Sequence, residues 1–128
     1  MRTYRFIQVD VFTNRPFGGN QLAVFPEAEG IADAEMQAMA REMNFSETTF
    51  VLPPTDPAHT AQVRIFTAST EVPFAGHPNV GTAFVLARRG MVFGRPVGEQ
   101  MLFEERAGLV AVTVTRSDGA VSGAAITA

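Results

Sequence analysis

Apolar and polar residues alternate from Thr3 to Phe12, which predicts a strand with Ile7, Val9 and Val11 on one face and Tyr4, Phe6, Gln8, Asp10 and Phe12 on the other. Both faces carry apolar groups, so much of each side is expected to be covered. The breakers Asn14-Arg15-Pro16-Phe17-Gly18-Gly19-Asn20 end this strand, and Gln21 to Phe25 follows as a second, short one. The period then lengthens. Met36, Met39, Ala40 and Met43 recur at the i, i+3, i+4, i+7 spacing of one buried helical stripe, predicting a helix capped by Asp33, running to about Met43 and stopped by Asn44. A methionine row of this kind reads as core packing, not as a ligand surface.

Strands are expected at Thr49 to Leu52 and at Ala61 to Thr67, on either side of Pro53-Pro54-Thr55-Asp56-Pro57, where proline density forbids regular structure. His59, just past this loop, reads as a solvated loop histidine. A second helix is predicted from Pro78 to Arg89, with Val80, Ala83, Phe84 and Ala87 on one face, Arg88 and Arg89 complementing the C-terminal dipole and Gly90 as the cap. Val85 and Leu86 add apolar surface outside that stripe, so this helix belongs in a central, buried position. From Glu99 onward the pattern is all strand: Met101 to Glu105, Leu109 to Thr115 and Val121 to Thr127, with Ser117-Asp118-Gly119 as a hairpin turn. The sum is a single α+β domain over residues 1–128, a curved, mostly antiparallel sheet wrapped around a central helix.

Composition narrows the chemistry. At 128 residues and 46% hydrophobic content the chain supports one globular core. The net charge is -3 and the ten basic residues are scattered apart from Arg88-Arg89, which gives no electrostatic footprint for nucleic acid. No apolar stretch approaches the roughly 20 residues of a membrane span, and Met1-Arg2-Thr3-Tyr4-Arg5 leads into a strand pattern instead of a signal-peptide core, so a cytoplasmic location is expected. With no cysteine there is no disulfide, thiolate zinc site or thiol acid/base pair, and two histidines in unrelated contexts give little support for a metal.

Two segments concentrate candidate chemistry. In Glu71-Val72-Pro73-Phe74-Ala75-Gly76-His77-Pro78-Asn79-Val80-Gly81-Thr82, Pro78 suits a helix start, Gly76 and Gly81 permit close backbone approach, and the amides of residues 76 to 81 can hold a carboxylate. His77 there either caps and packs, or stays neutral beside the helix N-terminus and exchanges a hydrogen bond with a ligand. In Asn44-Phe45-Ser46-Glu47-Thr48-Thr49-Phe50, Glu47 stands at a helix-to-strand junction between two phenylalanines. It is either a solvent-facing loop acid or a partly desolvated one poised for proton transfer.

Asp10-Val11-Phe12, Pro16-Phe17-Gly18-Gly19-Asn20-Gln21-Leu22-Ala23-Val24, Asn44-Phe45-Ser46-Glu47-Thr48 and Phe74-Ala75-Gly76-His77-Pro78-Asn79-Val80-Gly81-Thr82-Ala83 stand in the order found in one family. Together they resemble the PhzF-like isomerases and epimerases of phenazine biosynthesis. The resemblance covers nearly the whole chain but only the N-terminal half of a typical family member. It implies a diaminopimelate-epimerase-like fold, in which two similar lobes each curl a sheet around a helix and the active site lies in the cleft between them. By the same resemblance, the acid at Glu47 is the general acid/base that moves a proton between carbons of a small carboxylated substrate, without a cofactor. The histidine at His77 positions and polarises that substrate. Asn20 and Ser46 are implied as hydrogen-bonding groups, with Asn20 carried over as a loop match, and Gly76, Asn79 and Gly81 as substrate-binding positions. The absence of cysteine agrees with this branch, since related racemases of the fold use two thiols.

No second motif set occurs in these residues. A complete cleft is therefore expected from a complementary second lobe or from a homodimer in which each copy supplies a wall. The competing expectation is a non-catalytic small-molecule binding or interaction module, or an inactive truncated lobe.

Overall fold

The computed structural model of the protein describes residues 4–11 and 20–126. In chain order these form β1 (Ile7–Val11), β2 (Asn20–Phe25), α1 (Asp33–Met43), β3 (Glu47–Leu52), β4 (Ala61–Phe66), β5 (Glu71–Val72), α2 (Gly76–Arg89), β6 (Met91–Val92), β7 (Arg95–Pro96), β8 (Gln100–Glu105), β9 (Gly108–Ser117) and β10 (Ala120–Ile126). The main sheet has the order β1-β2-β3-β4-β8-β9-β10, with β5 beside β4, and β6 and β7 pair separately. Only β2–β3 and β4–β8 run parallel; the remaining pairs are antiparallel. The parallel neighbours are the ones joined by crossovers, through α1 in the first case and through α2 with the β6–β7 hairpin in the second, since a tight turn cannot join parallel strands.

The sheet curls because α2 has so little polar surface. Pro78, Asn79, Gly81, Thr82, Ala83, Val85, Leu86 and Ala87 are all buried, and a flat sheet would cover only one side of such a helix. Strands from both ends of the sheet order, β1 and β10, pack against α2 together with β2, β3 and β9. Period-2 alternation then divides the strand residues between two cores. Leu22, Val24, Val51, Ala61, Val63 and Ile65 join α2 on the concave side. Phe25, Phe50 and Phe66 join Met36 and Ala40 of α1 on the convex side, where Phe25 stacks on Phe50 at 4.9 Å and Phe66 meets Phe50 edge-on at 5.4 Å. Covered on both faces, β2 to β4 read as nearly continuous apolar runs.

One polar contact fixes the helix against the sheet. Thr49 of β3 and Thr82 of α2, both fully buried, share a hydroxyl hydrogen bond of 2.8 Å. It sets how far α2 is advanced along β3, and so where the head of the helix falls.

The observed elements correct several expectations. Asp33 is the first residue inside α1 and not its cap; Ala32 occupies that position, and its N–H donates to Glu35 Oε1 at 2.9 Å. Asp33 instead accepts from Arg64 of β4 at 2.6 Å. Asn44 does end α1, in the left-handed region at φ 54°. The second helix starts at Gly76, two residues before Pro78. Its first backbone bond runs from Asn79 N–H to Ala75 O, so Pro78 sits at the last position where a missing N–H costs no helical bond. β3 begins at Glu47, not Thr49, and the short β5, β6 and β7 lack the length for a sequence period. The hairpin turn stands as expected, with Asp118 and Gly119 at φ 54° and 81°.

Thr82→Val is expected to cost about 1–3 kcal/mol in urea denaturation, because it leaves the Thr49 hydroxyl buried without its partner. Adding Thr49→Val should recover most of that loss, and a double-mutant cycle reads the coupling directly.

Candidate active site

Because Thr49 and Val51 face α2, period 2 turns Glu47 to the same concave side, at the end of β3 nearest the head of the helix. The structure brings Glu47 and His77 together: burial raises the Glu47 carboxyl above its ordinary value, and the His77 imidazole counters in part by favouring the charged form. Ser46, one residue earlier, is exposed at the bend before β3. Glu47 is therefore not a solvated loop acid but a strand residue at the margin of the core.

His77 is the second residue of α2, between Gly76 and the buried Pro78. The N-cap is Ala75, which has no side-chain oxygen to cap this end of the helix. The partial positive charge of the first turn is left to whatever approaches it. Among the described residues, a Cβ at Gly76 would meet only Ile126 Cδ1, at 3.8 Å, which is ordinary contact. Packing does not demand glycine there. Phe74, 44% exposed, and Ile126, 37% exposed, are the large apolar side chains left near Gly76.

The remaining candidates fall differently. Gly81 is buried in the body of α2, and Asn79 is completely buried, with its Nδ2 donating to Glu105 Oε1 at 3.2 Å. Asn20 begins β2 opposite Val11, and its side chain lies outside the described residues.

Glu105 was not anticipated. Met101 and Phe103 alternate into the concave core, so Glu105 is the next inward residue of β8. A carboxyl closing an apolar period-2 row was the available signal. Burial pushes it up to about 7, against the opposing hydrogen bond from Asn79. Its neighbour Glu104 points to the opposite face and behaves in the opposite way. Some burial raises Glu104, but donors from Thr55, His59 and Asp56 outweigh that and bring it down to about 2. His59 is thus half-buried and bonded through Nδ1 to Glu104 at 2.7 Å, which overturns its expected place as a solvated loop residue. Glu104 pins the proline loop by accepting from the Thr55 N–H and hydroxyl and from the Asp56 N–H.

On the outer face of β4, between the inward Val63 and Ile65, Arg64 starts a chain of ion pairs. Arg64 bridges Asp33 and Glu71, and Arg106 holds the other side of Glu71 at 2.9 Å. The Arg64 hydrogen bond keeps Glu71 below its ordinary range despite partial burial. Among the described residues no three His, Asp or Glu side chains converge as a metal set, and no helix is long and apolar enough to cross a membrane. The arrangement offers an inward carboxyl of raised pKa with an imidazole beside it at the first turn of α2. That combination can bind an anion and shuttle a proton.

The chain as a whole is similar to known proteins. Residues 9–127 match the family described as phenazine biosynthesis-like protein. The chain is 46% identical over 120 residues to an uncharacterised isomerase of Mesorhizobium japonicum, covering 94% of this chain and 39% of that protein. It is 43% identical over 119 residues to trans-2,3-dihydro-3-hydroxyanthranilate isomerase of Pseudomonas aeruginosa, covering 92% of this chain and 40% of the other. Among solved structures, a PhzF-family phenazine biosynthesis protein of Bacillus anthracis superposes with a TM-score of 0.79 at 30% identity, over 92% of this chain and 38% of that one. A probable proline racemase from Agrobacterium radiobacter shares the fold at a TM-score of 0.68 and 18% identity, over 92% of this chain and 39% of the other. The chain spans about two-fifths of the length of the relatives it matches. The expected architecture, a diaminopimelate-epimerase-like lobe, is the observed one.

In a carboxyl-carbon NMR titration Glu47 should titrate above its ordinary 4.5, and His77→Asn should move it further up by removing the favourable charge beside it. A Glu47 resonance that titrates at the ordinary value would mean the carboxyl is solvated.

Proposed function

The chain belongs to the PhzF-like family of phenazine biosynthesis proteins, and we propose that it supplies one wall of a cofactor-independent isomerase site. In this reading Glu47 is the general acid/base and His77 holds and polarises a small carboxylated substrate. The observation that carries it is Glu47 itself, on the helix-facing side of β3, with its carboxyl raised by burial and His77 beside it at the head of α2.

The chemistry balances without a co-reactant. The Glu47 carboxylate takes a proton from one substrate carbon, and the freed electron pair moves into the adjacent unsaturated system. The resulting Glu47 carboxylic acid then returns the proton to a different carbon, or to the other face of the same one, and is a carboxylate again. A raised pKa suits both halves, because neither protonation state is out of reach near neutral pH. The substrate carboxylate lies on the amides at Gly76 and His77, where the helix dipole offsets its charge. Ser46 and Asn20 add hydrogen bonds, and Gly81 and Asn79 shape the turn behind. A compound of the trans-2,3-dihydro-3-hydroxyanthranilate type, the substrate in the name of one relative, carries the required carboxylate next to a ring with mobile double bonds.

The opposite wall is supplied by a second lobe or by a second copy of the chain. The chain's two-fifths coverage of its relatives supports a missing wall. So do the exposed apolar side chains of Phe74 and Ile126 near Gly76. A cytoplasmic location fits a site that acts on small metabolites.

With trans-2,3-dihydro-3-hydroxyanthranilate in deuterated solvent, Glu47→Gln should lower deuterium incorporation by roughly 10²–10⁴-fold while leaving carboxylate binding in place. Full exchange in that variant would remove Glu47 from the reaction, and binding without exchange in the wild type would favour the non-catalytic module. Gly76→Ala should leave the melting temperature unchanged or slightly raised, since alanine favours a helix, yet weaken carboxylate binding at least tenfold, on the order of one to two kcal/mol. Equal loss of stability and binding would make Gly76 a folding residue only.

A further inference from the structure

Asn79 and Glu105 form a bonded pair with two loose ends. Asn79 Nδ2 donates to Glu105 Oε1 at 3.2 Å, and the remaining oxygens, Asn79 Oδ1 and Glu105 Oε2, are buried with no hydrogen-bond partner among the described residues. Both are acceptors when Glu105 is ionised, and buried acceptors without donors are costly. One proton resolves both. Carried on Oε2, it turns that oxygen into a donor, and the acceptor left over on the same partner is Asn79 Oδ1.

We infer that Glu105 is a neutral acid closing a cyclic acid–amide latch with Asn79, and that this latch is a positioning element for the first turn of α2 and hence for His77. Asn79 makes the first backbone hydrogen bond of α2, to Ala75, so anchoring its side chain anchors the turn that carries His77. The β8–β9 turn braces the same segment at two more points. Arg106 pairs with Glu71 at 2.9 Å, and Ala107 N–H reaches Pro73 O at 3.4 Å. Successive residues of one turn thus hold the stretch from Glu71 to Asn79 on both sides of Gly76 and His77.

The electrostatics favour the protonated form. Glu105 is pushed up to about 7 by burial, with the Asn79 bond opposing, and among the described residues no charged group contributes. The charges on surrounding elements are engaged elsewhere: Arg106 and Arg64 with Glu71, Glu104 with His59 on the other face, and His77 with Glu47. On β9 the one charged side chain is Arg116, by the distant hairpin turn, and β10 carries none.

A role in turnover rests on the function proposed above, whereas the latch is measured without substrate. Glu105→Gln is the informative variant, because its amide can accept from Asn79 Nδ2 and donate to Asn79 Oδ1 with no proton to lose. Urea denaturation of the wild type, Glu105→Gln and Glu105→Ala from pH 4 to pH 9 tests it. For an acid whose folded pKa lies above its ordinary 4.5 at about 7, the folded state keeps a proton that the unfolded chain has released. Stability is then lost as pH rises through that window. The ratio of folding constants, Glu105→Gln over wild type, should grow about tenfold per pH unit between the two values, level off above them, and exceed the acidic-side ratio by on the order of a hundredfold at pH 8. Glu105→Ala should be less stable than Glu105→Gln at every pH. A pH-independent ratio, or Gln and Ala variants equally destabilised at pH 8, overturns the latch.

Positioning is read from the backbone amides of Val80 and Gly81. They should show an inflection near pH 7 in the wild type and in His77→Asn, and none in Glu105→Gln; amides that ignore Glu105 overturn this role. If no substrate shows Glu47-dependent exchange, the proposed reaction fails while these amides still decide the positioning. If exchange is found, its rate should fall on the alkaline side in the wild type, and Glu105→Gln should remove that limb.

Discussion

The fold depends on burying a helix that has almost no polar side. α2 presents Ala83, Val85, Leu86 and Ala87 to different neighbours, and all are shielded from solvent. Burial of each larger side chain contributes about 1.5–3 kcal/mol, which a flat sheet covering one face would forgo. The sheet therefore bends until strands at both ends of its order touch α2. The small residues Gly81 and Ala83 allow close approach, and the Thr49–Thr82 hydroxyl bond fixes how far along the sheet the helix sits. The other helix is subordinate: α1 packs on β3 and β4 from outside, over the Phe25, Phe50 and Phe66 stack.

The chemistry of the site follows from that curl. Wherever strand alternation turns a carboxyl toward the wrapped helix, burial weakens its ionised form. Wherever it turns one outward, donors and cations gather around it. Glu104 and Glu105 are neighbours in the chain, yet one is held at about 2 and the other at about 7 because they lie on opposite faces of β8. Glu47 shares the inward condition, and Glu71 of β5, opposite Phe66, the outward one, where the Arg64 hydrogen bond lowers it. A residue at the margin of the concave core is desolvated enough to hold a proton and open enough to exchange one. That margin lies near the head of α2, whose first-turn amides favour an anion.

Much of this was legible in the chain. The methionine stripe, the apolar second helix, the Asn44 stop and the Asp118-Gly119 turn are local patterns, each carried by a period or by backbone preferences of single residues. The ordered motifs around Glu47 and His77 pointed to the family and to both residues. Less legible were the helix start at Gly76, displaced because proline is tolerated anywhere in the first turn, and the two-residue strands, which are too short for a period. His59 was misplaced because its partner Glu104 is 45 residues away. Glu105 went unremarked because a glutamate at a strand end is ordinary until its face is known.

By itself, the sequence determined both helices, the longer strands and which side chains alternate together, since those depend on neighbours within a turn or two, and its ordered motifs pointed to the family. Only the tertiary structure decided which face of β3 and β8 meets α2, that Glu47 stands beside His77, and that Asn79 turns inward to Glu105. The physical reason is that ionisation depends on solvent access and on partners from distant strands. Both are set when the sheet closes around the helix, and no local pattern records that closure.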